Sequence, residues 1–64
     1  MDEFQLEYLD KDFQHLDVNN FKNLKDAMNA AENCSWAEAF MIFGMGQKLK
    51  GIRKEDKSIE WFGC

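Results

Sequence analysis

The sequence predicts a mainly helical α+β domain, with two or three short helices followed by a C-terminal β-hairpin. Three observations support this class. Residues 18–33 carry apolar side chains at helical spacing, residues 35–46 form an apolar run that opens on a helix-capping pattern, and residues 58–62 favour strands. The 64 residues contain no proline, no repeat and no low-complexity tract, so residues 1–64 are predicted to form one small domain.

Residues 3–16 are compatible with two structures. A helix is favoured by a stripe at helical spacing, formed by Leu6, Leu9, Phe13 and Leu16. A strand is favoured by the alternation of Phe4, Leu6 and Tyr8, with a turn at Asp10-Lys11-Asp12. We expect the helix, because acidic residues near its start suit a helix N-terminus, and keep the strand as the alternative.

Residues 18–33 give the clearest helical pattern. Asp17 is positioned to cap the first turn, and the alanines at 27, 30 and 31 favour helix. The apolar stripe comprises Phe21, Leu24, Met28 and Ala31.

The run from Ser35 to Gly46 is the most apolar part of the chain and is predicted to be a helix. Ser35 and Glu38 fit a capping box at its start, and Gly44 or Gly46 would end it. One face of this helix carries three aromatic residues, Trp36, Phe40 and Phe43. They are expected in the core and at an oligomer interface, because so small a domain has little else to cover a helix that is apolar on two sides.

Residues 47–62 are predicted to form the hairpin, and they differ in charge from the rest of the chain. Residues 1–45 have nine acids and three lysines, a net charge of −6, whereas residues 46–64 have five bases and three acids, a net charge of +2. Basic side chains hold phosphates and an aromatic ring stacks on a base. The predicted anion-binding residues are Lys48, Lys50, Arg53, Lys54 and Trp61, against the alternative of a solvated hairpin whose charges prevent aggregation.

Residues 35–61 resemble a module found in small bacteriophage proteins. The similarity lies in Ser35-Trp36-Ala37-Glu38-Ala39, in the basic segment Gly46-Gln47-Lys48-Leu49-Lys50 and in the aromatic segment Ser58-Ile59-Glu60-Trp61. Phage sponge proteins that counter Thoeris defence by sequestering a nucleotide signal carry a module of this type. The resemblance implies a small homo-oligomeric counter-defence protein, encoded by a phage and acting in the host cytoplasm.

Several classes of protein are not expected. One histidine (His15) and two distant cysteines (Cys34 and Cys64) do not make a metal site, and no cofactor motif or nucleophile–base pattern indicates an enzyme. No apolar run is long enough to span a membrane, and the first residues lack the features of a signal peptide. The acidic balance disfavours direct nucleic-acid binding.

Two functions follow as expectations. The first is a non-enzymatic sponge that holds a nucleotide-derived signalling molecule between protomers of a homodimer or larger assembly. The second is an acidic inhibitor of a host defence protein, of the anti-CRISPR or anti-restriction type, in which spaced carboxylates imitate DNA phosphates. Its acidic residues are Asp2, Glu3, Glu7, Asp10, Asp12 and Asp17.

Overall fold

A five-stranded antiparallel sheet forms the body of the molecule, and one helix packs against one of its faces. The computed structural model describes residues 3–63. In chain order the elements are β1 (Phe4–Leu9), β2 (His15–Phe21), α1 (Leu24–Glu32), β3 (Ala39–Gly44), β4 (Gln47–Arg53) and β5 (Ile59–Gly63). The strand order is β2-β1-β3-β4-β5. The prediction of a mainly helical domain is therefore wrong, whereas the predicted C-terminal hairpin is present as the antiparallel pair β4–β5.

The largest correction concerns residues 35–46, which contain a strand and no helix. Phe40 and Ile42 are buried on the side of the sheet that faces α1, while Met41 and Phe43 alternate onto the other side. Because β3 carries apolar side chains on both faces, periodicity alone does not distinguish such a short run from a buried helix. The predicted capping box is absent, since the Glu38 N–H donates to the Leu9 carbonyl at 3.0 Å.

The two glycines predicted to end a helix belong instead to the β3–β4 turn. Gly44 pairs with Gln47, so Met45 and Gly46 are the two loop residues. Both have positive φ, 52° for Met45 and 75° for Gly46. Positive φ at both central residues is typical of a type I′ turn, which matches the twist of the flanking strands.

Met45→Asn is expected to raise the free energy of unfolding by about 1 kcal/mol, because asparagine tolerates the left-handed conformation better than methionine does. Met45 is two-thirds exposed, so little packing is lost. Urea denaturation measures the change, with Met45→Leu as the control that keeps the strain. Equal stability of the two variants would contradict this account of the turn.

Residues 3–16 form β1, a turn and the start of β2, so the expected helix is wrong and the strand alternative is correct. Leu6 and Tyr8 are buried beneath α1, as the alternation with Phe4 predicts. The helical stripe was misleading because Phe13 lies in the turn between the two strands. Asp10, at the start of that turn, accepts N–H groups of residues 12 and 14 through its side chain.

The helix predicted over residues 18–33 is shorter than expected. Residues 18–21 complete β2, and α1 begins at Leu24. Asn23, not Asp17, is the N-cap, and its side-chain oxygen accepts the Asp26 N–H at 2.8 Å. The predicted inward stripe is otherwise correct, because Ala31 is buried and Leu24 and Met28 pack against the core.

The core lies between α1 and the sheet. Its largest fully buried side chains are Phe40, Leu6 and Ile42, and Ala27 and Ala31 bring the helix close to the strands. Within residues 3–63 the opposite face of the sheet carries no helix. We call it the open face.

Candidate functional site

The predicted anion-binding residues lie on different sides of the sheet. Lys48 and Lys50 alternate with the inward-facing Leu49 and therefore lie on the open face. Arg53 and Trp61 lie on the side of α1, and Lys54 is exposed in the β4–β5 loop. The structure thus places Lys48 and Lys50 on one face of the sheet and Arg53 and Trp61 on the other.

Both lysines of the open face lie over aromatic rings. The Lys50 ammonium is 4.6 Å from the centroid of the Phe13 ring, and the Lys48 ammonium is 5.6 Å from the centroid of Phe43. These distances are within the range of cation–π attraction. Neither lysine forms a salt bridge within residues 3–63. Their charge is therefore free to meet an anion from solution.

Phe13 has an unusual backbone conformation, with φ of +64°. Its N–H donates to the Asp10 carbonyl at 3.0 Å, which closes the turn between β1 and β2. Positive φ is rare for a bulky residue, and strain of this kind is often found at functional sites. The half-exposed Phe13 ring is placed beside Lys50 by this turn. Phe13 was not predicted as a site residue, because a helix over residues 3–16 would place it on the apolar stripe. The alternative turn at Asp10-Lys11-Asp12 was the signal that could have indicated its position.

On the open face, the half formed by β3–β5 carries apolar side chains, Lys48, Lys50 and the acidic Glu60, and the half formed by β1–β2 is mixed polar. The first half contains Met41, Phe43, Ile52 and Phe62 beside the two lysines. On the second half His15 Nε2 lies 3.7 Å from a Glu7 carboxylate oxygen. Phe62 is 44% exposed, although it lies in a strand. It was not predicted as a site residue, and its alternation with Trp61 would have indicated its face.

Arg53 binds the protein's own backbone. Nε donates to the Ala37 carbonyl at 3.1 Å and Nη1 to that of Lys57 at 2.9 Å. Nη2 donates to the carbonyls of Cys34 and Ala31, the latter at 3.4 Å. Arginine has five N–H donors, so these four bonds occupy most of them. The guanidinium, which also lies 5.5 Å from the Phe40 ring, holds the end of α1 and the loop that follows it.

The three predicted interface residues do not share a surface. Phe40 is fully buried in the core, and Phe43 lies on the open face. Trp36 is 55% exposed on the side of α1, where it stacks on Tyr8 with ring centroids 5.0 Å apart. The three residues share one face only on a helical wheel. In a strand, successive residues alternate between the two faces of the sheet, so Phe40 and Phe43 lie on opposite faces.

The acidic residues are also dispersed. Glu7 lies on the open face, Asp17 is on the edge strand β2, and Asp10 is used inside its own turn. Glu3 and Asp12 are exposed, and Asp2 lies outside the described residues. Glu7 and Asp17 therefore lie on opposite faces of the sheet.

The β4–β5 loop that carries Lys54 is organised by Asp56. Its Oδ1 accepts the Ser58 hydroxyl at 2.6 Å and the Ser58 N–H at 3.0 Å. These two hydrogen bonds hold the pKa of Asp56 below its usual value, and the bond from the Ser58 hydroxyl has the larger effect. Because the pKa is lowered by folding, this stabilisation is present at neutral pH and is lost as the pH falls through the pKa of the folded state.

Ser58→Ala is therefore expected to raise the pKa of Asp56, because it removes the largest cause of the lowering. An NMR titration of the Asp56 carboxyl carbon measures the change. Ser35→Ala removes a serine hydroxyl elsewhere and serves as the control. An Asp56 pKa that is the same in the Ser58 variant and the wild type would refute the assignment.

Residues 3–63 contain no cluster of three or more metal-binding side chains. Over the same residues α1, with nine residues, is too short to cross a membrane. Comparisons with known protein families, with curated proteins and with solved structures find no match for this chain.

Proposed function

We propose that this protein is a non-enzymatic binding protein that sequesters a nucleotide-derived signalling molecule on its open face. The observation that carries the proposal is the pairing of Lys50 with Phe13 and of Lys48 with Phe43. The ammonium groups would bind phosphate, and the neighbouring rings would stack on a base. Arg53 and Trp61 are no longer assigned to the ligand, since they lie on the other side of the sheet.

The composition of the face favours a small anion over a long nucleic acid. Within residues 3–63 the two lysines have no carboxylate partner, so they can neutralise a few phosphate charges. A nucleic-acid duplex requires a basic stripe, whereas this chain has a net charge of −4 and presents Glu7 and Glu60 on the same face. Stacking on a phenylalanine contributes about 1–3 kcal/mol per base, so one or two rings are enough for a small ligand.

The biological setting that we propose is phage counter-defence in the cytoplasm of the host. It rests on the resemblance of the C-terminal segment to phage sponge proteins. The β4–β5 hairpin supports it, because the basic and aromatic segments that carry the resemblance form its two strands. The segment before them contains β3, so the resemblance gains no support from a helix there.

The test is native mass spectrometry of freshly purified protein, followed by thermal-shift assays with a panel of nucleotides. We expect a retained small molecule that absorbs at the wavelength of nucleobases. Lys48→Gln combined with Lys50→Gln should weaken nucleotide binding by about tenfold or more, since each charge-assisted hydrogen bond contributes about 1.5–3 kcal/mol.

The matched control is Lys22→Gln combined with Lys25→Gln. It changes the net charge by the same amount at exposed positions next to the start of α1. Equal losses in both double variants would indicate non-specific attraction, and no binding of any nucleotide by the wild type would refute the proposed function. Salt-sensitive capture of a basic nucleic-acid enzyme, lost when Asp12 and Asp17 are changed to lysine, would favour the acidic inhibitor instead.

A further inference from the structure

The β2 strand leaves one edge of the sheet free. It pairs with β1 on one side only, and all of its residues before Phe21 are exposed. Unpaired edge strands are templates for pairing with another chain, and proteins commonly protect them with lysine or proline. The β2 sequence, His-Leu-Asp-Val-Asn-Asn-Phe, contains neither.

Val18 identifies the direction of the free backbone groups. Its N–H donates to the Asp17 side chain at 2.8 Å. Because residues directly opposite each other in an antiparallel pair alternate between bonded and non-bonded, an N–H that is not donated to β1 points out of the sheet. The outward N–H of Val18 is thus held by a local side chain that can be exchanged.

We propose that the protein forms a two-fold dimer in which β2 pairs antiparallel with β2 of a second copy, centred on Val18. The two Val18 residues then exchange both N–H···O bonds, and their side chains meet on the open face. Each Asp17 lies opposite Asn19 of the other copy. The pairing joins the two sheets into one of ten strands.

The side chains around the axis are complementary in this register. The Asp17 carboxylate, which gives up the Val18 N–H, faces an amide donor. Asn19 Nδ2 already donates to the Tyr8 hydroxyl at 3.1 Å and has a second hydrogen for Asp17. The Val18 pair removes two exposed apolar side chains from water. A second copy therefore provides partners for the backbone groups of the free edge, and no charged side chain lies directly opposite a like charge.

A second copy also fits the size of the chain. A domain of about this size buries only about 60% of the surface that its unfolded chain exposes, so association with another chain is a common source of stability. The dimer would make the two open faces continuous, so that two sets of lysine–phenylalanine pairs lie on one surface. The inference does not depend on the proposed ligand, because it concerns a different edge of the sheet.

Sedimentation equilibrium of the full chain tests the dimer. The wild type is expected at twice the 7.5 kDa mass of the chain. Val18→Pro removes an N–H that is not part of the β1–β2 ladder, and should raise the dimer dissociation constant about a hundredfold. Val18→Lys, which places like charges at the axis, should have the same direction of effect. The chemical-shift dispersion of the amide NMR signals checks that each variant is folded.

Phe62→Lys is the control, because it replaces an exposed apolar residue on the opposite edge strand. It should leave the dimer intact, whereas the Val18 variants should break it. In the wild type the Val18 amide should exchange its hydrogen more slowly as protein concentration rises. A monomeric wild type, or a Val18→Pro dimer as tight as the wild type, would overturn the proposal, and a dimer broken only by Phe62→Lys would place the interface elsewhere.

Discussion

Replacing Arg53 by alanine is expected to lower the free energy of unfolding by about 3 kcal/mol or more. A hydrogen bond to a charged group contributes about 1.5–3 kcal/mol, and Arg53 makes four to backbone carbonyls. These contributions are not additive, but a core of this size rarely supplies more than about 3–5 kcal/mol in total. The variant should therefore be largely unfolded at room temperature.

The effect comes from what the guanidinium holds together. The carbonyls of Ala31 and Cys34 belong to the end of α1 and the residue after its cap, and that of Ala37 precedes β3. The Lys57 carbonyl belongs to the β4–β5 loop. One side chain thus connects α1, the loop between α1 and β3, and the C-terminal hairpin. Its loss removes the guanidinium donor from the carbonyls of Cys34, Ala37 and Lys57 at once. The Ala31 carbonyl still accepts the Cys34 N–H.

Urea denaturation followed by circular dichroism measures the change. Arg53→Lys keeps the charge but not the planar fork, so it should recover only part of the stability. Lys54→Ala removes the neighbouring exposed cation and should alter the stability by less than about 0.5 kcal/mol. An Arg53→Ala protein that unfolds like the wild type would show that the guanidinium does not hold these carbonyls in solution.

Arg53 also shows how far the sequence could define the site. Charge asymmetry marks the C-terminal segment as basic and placed Lys48 and Lys50, whose side chains lie on the open face, among the predicted anion-binding residues. It gave no means of separating them from Arg53, because the face of each residue depends on strand register. The partner of Lys50, Phe13, is distant in sequence and comes close only through the β1–β2 turn.

The fold was predictable where the sequence pattern had one structural solution. The hairpin and the inward stripe of α1 are examples, since strand-favouring residues and a spacing of three to four residues allow few alternatives. The run over residues 35–46 allowed two, because a central strand and a buried helix are both apolar all round. Only the pairing of β3 with β1 and β4 decides between them. That information is non-local and is absent from a helical wheel.

Gly51→Ala is expected to destabilise the protein by about 2 kcal/mol, because its new methyl group would overlap Trp61. A Cβ at residue 51 would lie 2.7 Å from Trp61 Cζ3 and 3.0 Å from Ile59 Cγ2. Gly51 and Trp61 are directly opposite in β4 and β5, so the indole ring lies across the glycine. Overpacking a filled site of this kind costs about 1–3 kcal/mol.

The same arrangement occurs across β1 and β3, where Phe4 lies opposite Gly44. A Cβ at residue 44 would overlap both the Phe4 ring and the Glu3 carbonyl oxygen. The second contact is with backbone, which cannot rotate away. Gly44→Ala should therefore remain destabilising when Phe4 is shortened to leucine.

A Cβ at residue 51 would overlap side chains only, whereas a Cβ at residue 44 would also overlap backbone. Because a side chain can be shortened, a double-mutant cycle can test the Gly51 contact. In a Trp61→Leu background Gly51→Ala should cost little or become stabilising, because alanine is favoured over glycine by about 0.5–1 kcal/mol within a strand. Gly63→Ala, where a Cβ would meet nothing within 4 Å, is the control for glycine replacement in β5. Thermal unfolding of the four proteins of the cycle gives the coupling energy. A Gly51→Ala cost that is equal with tryptophan and with leucine at residue 61 would mean that the indole does not lie on Gly51, and Trp61 would then be free to take part in binding.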